Sequence, residues 1–266
     1  MTDTLSPVVR VEAADGVGTI TLDRPRVNAY EIGLMMQLRE AVAAADADAT
    51  VPVVVLRSAL PSVFSVGADI KVWAANEVAD NQRLVDAARA TANAIAGSRK
   101  VFVAAVNGHT LGGGLELALA ADLRFAVAGD YRLRLPEVKL GLMPGNGGTQ
   151  RLARLVGSSR ALALIATGDA IGPEEALSIG LVDRVFPPDT FAGEVASFAR
   201  ALARGPAGAI AAIKTAVREG EGLTLEAALA VEAALSDGLY GTADGIEGFR
   251  AYVEKRPPRF GGADAD

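Results

Sequence analysis

Residues 101–120 read VFVAAVNGHTLGGGLELALA. The apolar run 101–106 is bounded by Asn107-Gly108, the pattern of a strand buried on both faces. Three consecutive glycines, Gly112 to Gly114, then open an apolar segment of helical character. Glycine is costly inside a helix and useful where backbone must approach a ligand or another element closely. The first-turn N–H groups of such a helix lack intrahelical partners and stand at the positive end of its dipole, where they suit an anionic oxygen. Glu116 follows Gly113 by three residues, so both share one face, and helical side chains lean back toward the N-terminus. Carboxylate and N–H donors thus point into the same space. Glu116 is the only charge between Gly112 and Ala121. The competing reading is tight helix packing, with Glu116 a satisfied or surface side chain.

Around this stretch, strand-like and helix-like segments alternate. Strands are expected at 17–22, 51–57, 123–127 and 131–135, and helices at 31–45 and about 80–96. Such alternation predicts an α/β architecture. Beyond residue 189 strands stop and Ala-rich amphipathic segments take over, punctuated by Gly205-Pro206 and Gly220-Glu221-Gly222 and ended by Pro257-Pro258. Residues 1–200 are read as the core and 201–266 as a helical appendage, which packs on the core or on another subunit.

Composition narrows the chemistry. The 266 residues carry no cysteine and one histidine, so disulfides, thiolate nucleophiles and Cys- or His-rich metal sites are excluded. A Ser–His–Asp triad would have to use His109, and neither G-x-S-x-G, a P-loop nor G-x-G-x-x-G occurs. The net charge of −6 argues against nucleic acid as a partner. No apolar run is long enough for a bilayer, and the start MTDTLSPVVR does not read as a signal peptide, so a cytoplasmic protein is expected. Catalysis must therefore rest on carboxylates, backbone dipoles or bound groups.

Two further segments qualify. In Phe64-Ser65-Val66-Gly67-Ala68-Asp69-Ile70-Lys71, a loop following a buried strand, Gly67-Ala68 can present a second N–H donor and Asp69 can cap the next helix. Lys71 reads as a phosphate contact or as an ordinary exposed lysine. In the stretch LPEVKLGLMPGNGGTQ (135–150), Glu137 follows a strand and precedes a Gly/Pro-rich turn that opens a helix. A loop glutamate on the surface is the simpler account of that segment alone. It weakens once a second isolated carboxylate and two candidate N–H donors also need explaining. Two carboxylates facing one water are what addition of water to a double bond requires.

Together these segments resemble the crotonase (enoyl-CoA hydratase/isomerase) family. FSVGADIK is similar to its G-A-D-I-K loop, NGHTLGGGLELALAADLRFA to its N-G-x-x-x-G-G-G-x-E-L helix, and LPEVKLGLMPGNGGTQRL to its P-E-x-x-L-G-x-x-P-G-x-G-G-T-Q-R-L signature. LDRPRVNAY and GFRAYVEKRPP also correspond, so the resemblance spans nearly the whole chain. It implies a spiral of ββα repeats with a C-terminal helical trimerisation region, assembled as a homotrimer or a dimer of trimers. It further implies an acyl-CoA thioester whose carbonyl oxygen accepts from the N–H groups of Ala68 and Gly113. The position of Glu116 activates water for attack at C3, and that of Glu137 supplies the proton to C2. No metal and no cofactor is expected, coenzyme A being part of the substrate. Arg26 would approach the CoA phosphates, Ala68, Asp69, Ile70 and Lys71 would line its adenine and pantetheine side, and Tyr252 and Lys255 would reach CoA bound to a neighbouring subunit.

Departures from the family pattern are modest. Tyr252 stands where phenylalanine is usual, and Ser65-Val66 and Val72-Trp73 replace commoner small or acidic residues, which gives the acyl pocket its own shape. His109 falls at a variable position and is read as structural. An isomerase, which generally needs one base at the position of Glu137, is the nearest alternative, and retention of both glutamates favours hydration. Other acyl-CoA chemistries use the same scaffold. A non-catalytic acyl-CoA binder is the alternative from another class. With no dehydrogenase segment following, a chain of one activity is expected.

Overall fold

The structure, a computed structural model, describes residues 7–261. Strands come in pairs and each pair leads into helix. β1 (Val9–Ala14) and β2 (Val17–Leu22) precede α1 (Ile32–Ala47). β3 (Val53–Ser58) and β4 (Val63–Ser65) precede α2 (Ile70–Ala75) and α3 (Val78–Gly97). β5 (Val101–Val106) and β6 (His109–Leu111) precede α4 (Gly113–Ala120). β7 (Leu123–Val127) and β8 (Leu133–Arg134) precede a 3-10 turn at Glu137–Leu140 and then α5 (Gly148–Val156). After β1–β2, each pair splits. Its first strand joins a six-stranded sheet, β1-β2-β3-β5-β7-β9 with β9 at Arg184–Phe186, and its second joins a three-stranded sheet, β4-β6-β8. All pairings between these strands except β1–β2 are parallel, so the chain winds in one direction as the spiral of ββα repeats that the resemblance implied.

The large sheet is buried on both faces, as parallel sheets must be. Alternation along each strand divides its side chains. Val54, Leu56, Phe102 and Ala104 face the main core with α1, α3 and α4. Val53, Val55, Val103 and Phe125 face the other way, against Phe191, Val195 and Ala199 of α8 (Phe191–Ala203). Such fully buried aliphatic side chains each contribute about 1.5–3 kcal/mol relative to exposure. This rigid slab holds the glycine-rich turn that launches α4.

Short strands account for the differences from expectation. The strand predicted at 131–135 is only Leu133–Arg134, while β4 and β6, three residues each, lie in segments read as loops. Three residues carry no resolvable alternation. β1 was not foreseen either: VRVEAA alternates apolar and charged residues, but it forms an edge strand with no buried residue.

Past Phe186 the described chain is helix and turn. It runs through α8, α9 (Ala207–Gly220), α10 (Leu225–Asp237) and α11 (Ala243–Glu254), after the earlier α6 (Ser158–Thr167) and α7 (Pro173–Ser178). Lys214 of α9 donates to Lys100 O at 2.7 Å and to Asp122 Oδ2 at 2.8 Å, and Arg218 meets Asp122 Oδ1 at 3.1 Å. α9 is thereby tied to the sheet. α10 buries no residue and α11 only Ala251. No helix among the described residues is long and apolar enough to cross a membrane.

Candidate active site

α4 is buried over its full length, and Glu116 in its first turn is 1% exposed. An ionised carboxylate there must be hydrogen-bonded to persist. Glu116 Oε1 accepts from the N–H of Asn146 at 2.7 Å and of Gly148 at 2.8 Å. Both donors belong to the turn and first residue of α5, so the positive end of that helix supports the charge. Burial pushes the Glu116 carboxyl up, and the Gly148 and Asn146 bonds, with Arg151 nearby, pull it part of the way back. Its second oxygen takes no hydrogen bond among the described residues.

Glu137 opens the 3-10 turn after β8 and is partly buried. Its Oε1 lies beside the α4 N-cap, since a Cβ built on Gly112 would come within 3.1 Å of it. Its Oε2 is buried without a partner among the described residues. Burial raises this carboxyl to about 7, and the charge of Glu116 adds to the effect. The two glutamates therefore differ in kind. Glu116 is held by two N–H donors, whereas burial lets Glu137 keep its proton to near neutrality, a separation by environment of the kind acid–base pairs use.

The N–H donors are built by the loop after β4. Tyr30 pairs with this loop as in a parallel bridge, its N–H donating to Gly67 O at 2.9 Å and its carbonyl accepting from Asp69 N at 3.0 Å. Residues 67 and 69 are thus consumed, and the intervening Ala68 N–H faces away. Neither Ala68 N–H nor Gly113 N–H meets an acceptor among the described residues. Gly67 has φ +82°, and a Cβ on it would lie 2.7 Å from Gly113 N, so only glycine allows the loop to touch the start of α4. Ser65 Oγ accepts from Gly67 N at 3.2 Å and donates to Asn28 O at 2.8 Å, and Asn28 Nδ2 reaches Ser58 Oγ and Phe64 O. That buried polar set fixes the loop's path.

Asp69 caps α2 by accepting from Lys71 N at 3.2 Å and pairs with Arg24 at 3.2 Å. Arg26, Ile70 and Lys71 are exposed. Tyr252 is 86% exposed on α11, with Lys255 as its left-handed C-cap, and no hydrogen bond or ion pair joins either to the loop or the glutamates within the one chain. His109 Nδ1 accepts from Arg132 N at 3.1 Å and its ring meets Tyr131 edge-on, contacts of a structural residue. No group of three or more His, Cys, Asp or Glu side chains placed to hold a metal occurs among the described residues.

Three site residues escaped the sequence reading: Asn146 and Gly148, which hold Glu116, and Tyr30, whose hydroxyl accepts from Asn146 Nδ2 at 3.1 Å. Their signals are faint. Asn146 is one polar residue among turn glycines, and Tyr30 precedes a helix as any core aromatic would.

The model of the enoyl-CoA hydratase/isomerase family matches residues 12–263. The chain is 39% identical over 245 residues to 2,3-dehydroadipyl-CoA hydratase of Escherichia coli (strain K12), covering 91% of this chain and 94% of that protein. It is 38% identical over 239 residues to the mitochondrial methylglutaconyl-CoA hydratase of Homo sapiens, covering 88% and 70%. Among solved structures, the enoyl-CoA hydratase of Geobacillus kaustophilus HTA426 superposes with a TM-score of 0.93 at 39% identity, covering 97% of this chain and 98% of that one. A fold, a glycine-built pair of free N–H groups and a family signature thus coincide along one chain, and it belongs to the enoyl-CoA hydratase/isomerase family.

Proposed function

We propose that this chain hydrates a 2-enoyl-CoA to the 3-hydroxyacyl-CoA, with Glu116 and Glu137 as the acid–base pair and the N–H groups of Ala68 and Gly113 as the oxyanion hole. The observation that carries the assignment of roles is the unequal setting of the two carboxylates, one bonded to two N–H groups and the other raised to about 7. Hydratases acting on dehydroadipyl-CoA and methylglutaconyl-CoA among the relatives support the reaction.

Water, polarised by the free oxygen of Glu116, attacks C3. Electron density moves through C2 onto the thioester oxygen, and the Glu137 carboxyl delivers its proton to C2. The charge developing on that oxygen is met by the two N–H groups, each such donor being worth about 2.7–4 kcal/mol. One proton enters the pair from water and one leaves it to carbon, so nothing else is consumed. Coenzyme A arrives with the substrate, and the reading calls for no separate cofactor.

Arg26 and Lys71, exposed beside the loop, suit the CoA phosphates. Tyr252 and Lys255 would serve a neighbour's CoA in a trimer or a dimer of trimers. A cysteine-free chain suits the reducing cytoplasm, and fatty-acid oxidation or a related acyl-CoA route is the setting. Purified protein mixed with crotonyl-CoA should abolish the enoyl-thioester absorbance band. Absence of hydration with short, long and branched enoyl-CoAs alike would overturn the proposal.

A further inference from the structure

Tyr30 belongs to both halves of the site. Its backbone is bridged to the loop that presents Ala68 N–H, and its side chain runs across the start of α4 to Asn146. The residue is 3% exposed, and its hydroxyl fills the space that a Cβ on Gly113 would occupy. Asn146 in turn donates its backbone N–H to Glu116 Oε1 at 2.7 Å, while its own carbonyl accepts from Arg151 at 2.7 Å. The Asn146 amide oxygen is buried without a partner, so the side chain is held through its Nδ2, which donates to Tyr30 and lies close to Glu116.

We infer that Tyr30 and Asn146 form a brace that sets the Glu116 carboxylate relative to the two oxyanion donors. They are positioning residues. The chain of contacts runs from Ala68 through the Tyr30 backbone, ring and hydroxyl to the Asn146 amide and on to Glu116. No other residue described here bridges the loop and the carboxylate in two steps of hydrogen bonding. A buried phenol also stays neutral: burial raises its pKa, and the charges of Glu116 and Glu137 raise it further. It therefore acts as a fixed dipole rather than a proton carrier. Because a displacement of 1 Å at a reacting group can cost about 100-fold in rate, a brace of this kind bears on turnover more than on substrate affinity.

The inference rests on Glu116 being the base, and kinetics separate the two claims. Tyr30→Phe keeps the ring and removes the bond. It should lower kcat roughly 10- to 100-fold with little change in KM and with the thermal midpoint close to wild type. Asn146→Ala keeps the backbone N–H but removes the amide, which lies near Glu116 and lowers its pKa. This variant should lose a similar factor and move the acid limb of kcat/KM to higher pH. The double variant should be no worse than the poorer single one. A kcat for Tyr30→Phe within twofold of wild type, or losses that multiply in the double variant, would overturn the brace while leaving Glu116 in place. Should Tyr30→Phe fold poorly, an unmoved acid limb in Asn146→Ala overturns it instead. Undiminished turnover in Glu116→Gln would remove the base and the brace together.

Discussion

The Tyr30 hydroxyl sits where residue 113 would carry a Cβ, so a side chain on Gly113 would overlap Tyr30 Oη and Cζ. Gly113 is thus glycine for two reasons at once. Its N–H is free to hold an oxyanion, and its missing side chain admits a buried phenol. Gly113→Ala should destabilise the fold by about 1–3 kcal/mol, the usual cost of overpacking a well-filled site. Adding Tyr30→Leu should restore part of that stability without restoring activity, since the oxyanion geometry and the brace are then both disturbed. Thermal or denaturant unfolding of the two variants checks this. Equal stability of Gly113→Ala and wild type contradicts it.

Glu116→Gln and Glu137→Gln should each reduce kcat by roughly 10²–10⁴-fold while leaving KM nearly unchanged and the chain folded. The pair works on one water and one carbon, so the double variant should fall little below the worse single variant. Steady-state kinetics with crotonyl-CoA reads all three. Multiplicative losses would mean that the two carboxylates act in separate steps.

Much of this arrangement is legible in the sequence. The glycine run beside a lone charge on an apolar helix points to Glu116, and the apolar run 101–106 marks a central strand. Glu137 was legible only through its family signature, because PEVKL on its own describes any loop carboxylate. Tyr30, Asn146 and Gly148 were not legible as site residues. Their roles depend on contacts 30 to 116 residues apart in sequence, such as Asn146 to Tyr30, which no local pattern encodes. The strands β4 and β6 were missed, and β8 was drawn too long, for a related reason. At two or three residues they are defined by neighbours in the sheet and not by their own alternation.

Glu137 makes both rate and stability depend on pH. In the folded chain its carboxyl holds its proton to about pH 7, against an ordinary glutamate value of 4.5. The folded state therefore binds more protons than the unfolded state across that window, and stability falls as pH rises through it. Glu137→Gln should abolish this dependence, so its melting midpoint should gain on wild type at pH 8 relative to pH 5. In kinetics, the productive pair carries a single proton. The rate should fall below the Glu116 transition and again above about 7, giving a bell in kcat/KM. Hydration and dehydration must share that bell, because the overall equilibrium releases no proton. A flat profile from pH 6 to 9 would contradict the acid role of Glu137.

α11 presents Ile246, Phe249, Tyr252 and Val253 at intervals of three and four, and all are more than half exposed, Tyr252 at 86% and Val253 at 78%. Its one buried residue is Ala251. This is the reverse of an ordinary surface helix, whose apolar stripe faces its own core. An apolar stripe turned outward next to α10, which buries nothing of its own, is the kind of surface that protein partners cover. If that partner is a second copy, sedimentation should show an assembly of three chains or a multiple of three, and Phe249→Asp should shift it toward the monomer. Tyr252→Ala and Lys255→Ala should then raise KM for acyl-CoA while sparing kcat, because both residues would touch the CoA of an adjacent subunit and not the reacting carbons. A monomeric wild-type chain with full activity would leave the outward stripe without this role. A loss confined to kcat would place Tyr252 and Lys255 at the chemistry instead.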